Sequence, residues 1–159
     1  MNKIKLVSIS ILSVLLFFTS CSKDDKQSTP QNEEEEIFLS AKIDGIDFFT
    51  DFPLYISFTE QEIAVSGQND ENTLNIQITI VNYSGPGSYP IGSSNDNENI
   101  ISLLDNGVWL TDKDNGTGTV TFIEEGDFLG GTFSFDAVNP QNSMIKNITD
   151  GEFYIQIHF

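Results

Sequence analysis

Leu74-Asn75-Ile76-Gln77-Ile78-Thr79-Ile80 and Phe153-Tyr154-Ile155-Gln156-Ile157-His158-Phe159 are the stretches that decide the fold class. In each, large apolar residues recur at every second position with mostly polar residues between them. Successive side chains of an extended strand point to opposite faces, so this period predicts strands with one buried face. The same spacing recurs in Ile37-Leu39-Ala41-Ile43, Leu54-Ile56-Phe58, Val120-Phe122 and Phe133-Phe135-Ala137. No stretch of useful length carries a helical period. Turn residues separate the runs at Asp44-Gly45, Gly67 to Asn72, Ser84-Gly85-Pro86-Gly87, Asn106-Gly107, Glu125-Gly126-Asp127 and Asp150-Gly151. Asn-Gly and Asp-Gly supply the positive φ angles that tight hairpins need. The expected fold is all-β, about ten antiparallel strands in a sandwich or a flattened barrel. Residues 37–159 are enough for one domain and too few for two.

The start of the chain has a different composition. Lys3 and Lys5 precede a run from Leu6 to Phe18 that is apolar except for Ser8, Ser10 and Ser13, the layout of a signal peptide over residues 1–20. A spanning helix needs about 20 apolar residues, and this run meets Ser-Cys-Ser-Lys-Asp-Asp well before that length. Phe18-Thr19-Ser20-Cys21 resembles the lipobox of bacterial lipoproteins, although Phe18 stands where Leu is commoner. That resemblance implies diacylglycerol on the Cys21 thiol, cleavage before Cys21 and acylation of the new amino group. Cys21 is the only cysteine, so no intramolecular disulfide forms. Several acyl chains, at about 0.8 kcal/mol per buried CH₂, hold a protein far more firmly than one myristoyl group.

Residues 21–36 form the next segment. Lys23-Asp24-Asp25 resembles the export signal that sends Bacteroidetes-type lipoproteins to the outer face of the outer membrane, which implies a lipid-anchored surface location. From Ser22 to Glu36 no large apolar residue occurs, and the stretch ends in four glutamates. Such a composition cannot bury enough surface to offset its ordering entropy, so a disordered acidic tether is expected. Extended at about 3.1 Å per residue, it reaches roughly 45 Å.

The whole chain carries seven lysines, no arginine and 24 acids, a formal charge of −17. Losing Lys3 and Lys5 with residues 1–20 leaves five lysines against 24 acids, a charge of −19. Nucleic acid is thereby excluded as a partner, because its binding depends on cations neutralising phosphates. Direct adhesion to anionic lipid is disfavoured for the same reason, and solubility together with repulsion from a negative cell surface accounts for the acidity.

Gly116-Thr117-Gly118-Thr119-Val120-Thr121-Phe122, Gly131-Thr132-Phe133-Ser134-Phe135-Asp136-Ala137 and Ile148-Thr149-Asp150-Gly151-Glu152-Phe153 together resemble a family of small secreted lipoproteins of Bacteroidetes type, a domain of unknown function. Phe38 to Gly45 looks like its first strand and turn. The resemblance implies the fold and the location and brings no catalytic residues with it.

Individual residues offer little chemistry. His158 is the only histidine and is not accompanied by a nucleophile elbow or by further zinc ligands. Glu124, Glu125, Asp127 and Asp136 include conceivable carboxylate pairs, but among 24 acids a pair at glycosidase spacing arises by chance. Asp112 and Asp114 open like a calcium loop, whose closing bidentate Glu is replaced by Ile123; Asp96-Asn97-Glu98 is a second oxygen-rich segment. Calcium is the one candidate cofactor, and a hydrated turn is the favoured reading of those loops. Trp109 and Tyr89 are candidate ligand contacts, as exposed aromatics stack on sugars or anchor partners, although aromatics of this kind more often cover a sheet. The pattern points to a non-enzymatic, lipid-anchored binding module with a glycan or an envelope protein as partner. An accessory subunit of an outer-membrane complex is the second choice, and a hydrolase the third.

Overall fold

The computed structural model describes residues 36–93, 97–125 and 127–157. Eleven strands follow one another: β1 (Phe38–Ile43), β2 (Ile46–Thr50), β3 (Leu54–Thr59), β4 (Glu62–Gln68), β5 (Leu74–Ile80), β6 (Gly87–Gly92), β7 (Ile100–Asp105), β8 (Val108–Thr111), β9 (Thr117–Glu125), β10 (Phe128–Val138) and β11 (Ile145–Gln156). All are antiparallel and belong to one curled, half-barrel sheet. The all-β expectation holds, with eleven strands for the expected ten.

The main path runs β2-β1-β11-β10-β8-β7-β5-β4-β3, and β10 is where the sheet divides. Phe128 to Asp136 of β10 pair with β9, which in turn pairs with β6, whereas Val138 pairs with Leu110 of β8. Curling brings β4 over β1 and β2. A Cβ on Gly67 would lie 2.9 Å from Thr50 Cγ2 and 3.2 Å from Leu39 Cβ, so only glycine permits that approach. Gly67 therefore ends within β4, not in the turn expected for it, and the turn itself is built by Asn69, whose side-chain oxygen accepts from Thr73 N and Leu74 N.

The predicted alternation matches burial in most strands. Ile76, Ile78, Ile80, Ile101, Leu103, Val120, Phe122, Phe153 and Ile155 are sealed in the core with Leu39, Ala41 and Ile43. Two places depart from it. Leu54, Ile56 and Phe58 of the edge strand β3 point outward and are exposed, while Tyr55 between them is half-buried and packs on the core. Periodicity shows which residues share a face, but not which face is inside.

Asp150-Gly151 is the other departure, since it lies within the 12-residue β11 and makes no hairpin. In the Asp44-Gly45 hairpin both residues have positive φ, 50° and 82°; here only Asp150 does, at 51°. The pairing register slips at this point on both sides of β11, so the pair forms a bulge that bends the strand.

Candidate functional site

Trp109 follows the Asn106-Gly107 turn as expected, but its indole is 7 % exposed. Its Nε1 donates to the Asp105 carbonyl at 3.0 Å, and the Lys146 ammonium lies 5.0 Å from the ring centre while pairing with Asp105. This arrangement favours sheet-covering over ligand contact for Trp109. Tyr89 is half-buried: its hydroxyl donates to the Gly85 carbonyl at 2.6 Å and accepts from Ser84 N at 3.0 Å. It therefore acts as a support for its neighbours.

Asp112 Oδ1 accepts from Asp114 N, Asn115 N and Asn115 Nδ2, each at 2.9 Å, which closes a tight turn. Asp112 and Asp114 line a cavity of about 360 Å³ with Glu98, but Lys113 lines it too. Among the described residues no group of three or more His, Cys, Asp or Glu side chains is placed to hold a metal ion. Oδ1 of Asp112 is committed to its turn. Cys21, Lys23, Asp24, Asp25, Asp96 and His158 lie outside the described residues.

The structure brings together a group that the sequence does not advertise. Where the edge of β3 faces the far ends of β9, β10 and β11, a cavity of about 330 Å³ opens at the seam of the curled sheet. Ile63, Leu129 and Ile157 give it an apolar floor; Tyr55, Tyr83, Glu60 and Glu124 supply the polar groups. Tyr55 is placed there by the reversed facing of β3, the feature that exposes Leu54 and Ile56.

Tyr83 is held firmly. Its ring stacks on Tyr89, with centroids 5.6 Å apart and 24° between planes, and lies near-perpendicular to buried Phe122 at 5.4 Å and 74°. Its hydroxyl donates to Glu124 Oε1 at 2.5 Å. Burial, reinforced by the Glu124 carboxylate, pushes the Tyr83 hydroxyl well above the ordinary tyrosine range, so it remains a donor throughout the physiological range. The carboxylate is thereby oriented before any ligand arrives. Ring packing of this kind contributes about 0.5–1.5 kcal/mol per pair beyond the area buried.

A second feature lies on the outer surface. Phe49, Phe52, Leu54, Ile56 and Phe58 are all exposed, Phe52 by 74 % and Leu54 by 62 %, on β2 and β3, the two end strands of the sheet path, and on the segment joining them. An uncovered apolar edge of this kind is what soluble domains usually avoid.

Fold and site together define a single-sheet all-β domain with a small, partly apolar cavity at its seam. The chain belongs to the family described as domain of unknown function (DUF6252), whose model matches residues 37–155. No curated protein and no solved structure matches it.

Proposed function

We propose that the chain is a lipid-anchored lipoprotein of the bacterial outer membrane, displayed at the cell surface, and that its all-β domain is a non-enzymatic binding module with the seam cavity as its ligand site. The observation that carries the binding role is that cavity, in which a fixed carboxylate and two tyrosines stand over an apolar floor. Such a mixture suits recognition, where apolar surface supplies affinity and a few fixed polar groups supply orientation. The anchor rests on the leader and on Cys21, and the outward location on Lys23-Asp24-Asp25.

Lipid labelling of the wild type and of Cys21→Ala, combined with protease shaving of intact cells, tests the location. Label on the wild type alone and removal by external protease are the expected results. Protection from the protease would place the domain in the periplasm. The binding role is tested by nuclear magnetic resonance shift mapping with small ligands, and failure of every ligand to reach the seam would defeat it.

The exposed apolar edge of β2 and β3 favours a second reading, an accessory subunit of an outer-membrane complex. Crosslinking in intact cells through residues of β3 decides it: one stoichiometric envelope partner supports the accessory role, and an unpartnered domain removes it.

A further inference from the structure

The seam cavity has a chemical bias beyond being a hollow. Two carboxylates, Glu60 and Glu124, and two phenol rings, Tyr55 and Tyr83, line it, and among the described lining residues none is basic. Of the lysines in the described residues, Lys42 is paired with Asp47 and Lys146 with Asp105. Lys113 borders the separate cavity beside Asp112. Aromatic rings attract cations through their quadrupole, and carboxylates attract them by charge, with Glu60 and Glu124 both exposed at the mouth of the cavity. The formal charge of −17 on the whole chain adds a field of the same sign. An anion entering the seam meets repulsion from both carboxylates. The floor of Ile63, Leu129 and Ile157 asks for hydrocarbon, which a hydrated metal ion lacks. A volume of about 330 Å³ is at the small end for a ligand pocket.

We propose that the seam cavity selects a small alkylammonium cation, with its hydrocarbon part on Ile63, Leu129 and Ile157 and its charged nitrogen held by Glu60, Glu124 and the ring of Tyr55. This rests on the reading of the seam as the ligand site. Glu124 is the main specificity determinant, because Tyr83 holds it in place without a cost paid on binding.

The test uses the full chain in detergent micelles, labelled with ¹⁵N, titrated with n-butylammonium, n-butanol and n-butyrate at 0.15 M ionic strength. These three probes share one hydrocarbon body and differ in charge. Saturable shifts at Tyr55, Ser57, Ile63 and Leu129 with butylammonium, absent with butyrate and weaker with butanol, support the proposal. Glu124→Gln should then weaken butylammonium about threefold, the scale of an exposed charged contact, and weaken butanol less. Equal binding of all three probes would overturn cation selection while leaving the seam as a ligand site. No saturable shift at the seam with any probe would overturn both. Butylammonium shifts scattered over acidic surface positions and unaffected by Glu124→Gln would reduce the effect to counterion accumulation and overturn the proposal as well.

Discussion

Gly151→Ala tests how tightly the bulge of β11 is packed. A Cβ on Gly151 would stand 2.5 Å from both Cε2 and the carbonyl oxygen of Phe133, and closer still to Cδ2. The ring cannot swing away freely, since Phe133 is buried and lies beside Phe135 and Phe153 at 6.1 and 6.4 Å. The carbonyl oxygen belongs to β10 and moves only if that strand moves. Overpacking a core usually costs about 1–3 kcal/mol, and a contact with backbone belongs at the top of that range, about 3 kcal/mol. With a urea slope of about 2 kcal/mol/M, the midpoint should fall by roughly 1.5 M. Trp109, the only tryptophan and a buried one, reports unfolding by fluorescence. Phe133→Leu alone should cost about 1–2 kcal/mol. Combined with Gly151→Ala it should cost less than the sum of the two by about 1 kcal/mol, because the smaller side chain relieves the ring contact. Additivity within about 0.5 kcal/mol would refute the idea that the ring is the obstacle. An unchanged midpoint for Gly151→Ala would refute the close packing of the bulge altogether.

Further outcomes follow from the ring cluster, the Trp109 contact and the exposed edge. Tyr83 has a folded-state pKa raised above its ordinary value of 10.0, chiefly by burial and then by Glu124, so it keeps a proton that the unfolded chain loses. The stability this contributes is complete below pH 10 and declines as pH rises beyond it. Urea midpoints measured between pH 8 and 11 should show that decline in the wild type, and a smaller one in Tyr83→Phe. Lys146→Met should cost about 1–2 kcal/mol, because it removes the partner of the largely buried Asp105 and the cation over Trp109; an unchanged urea midpoint would argue against both contacts. Ile56→Ser and Phe58→Ser, at exposed positions, should each leave stability within about 0.5 kcal/mol of the wild type. A large loss in either would mean that β3 packs its apolar face.

Much of this architecture is legible from alternation alone. In Leu74 to Ile80, and in Val120, Phe122, Phe133 and Phe135, the apolar positions are the ones the sheet buries. Alternation failed at β3 because a period of two is symmetric: Leu54, Ile56 and Phe58 share a face whether that face is core or rim. Asp150-Gly151 misled for a related reason, since one residue with positive φ serves a bulge as well as it serves a turn. No alternating run marks β2, β4, β6 or β7; β2, for one, has only the five residues Ile46 to Thr50, with two adjacent phenylalanines. The seam site was hidden more deeply. Its residues are drawn from β3, the β3–β4 turn, β4, the segment after β5, β9, β10 and the residue after β11, so no local window contains a pattern. Only the reversed facing of Tyr55 hints at it, and that hint requires knowing where the sheet closes.

The position of β11 governs the order in which the molecule can assemble. Among the described residues it is the last strand, yet it lies between β1 and β10, with Phe38 paired to Tyr154 across more than a hundred residues. A chain passing through a membrane with its N-terminus leading delivers β1 and β2 long before their partner arrives. Until then β1 has only β2 as a hydrogen-bonded neighbour, and a two-stranded pair is marginal in water. Completion depends on β11 and on a long-range closure of the slow kind. On the proposed reading of an exported lipoprotein, this arrangement keeps the domain threadable until β11 has crossed.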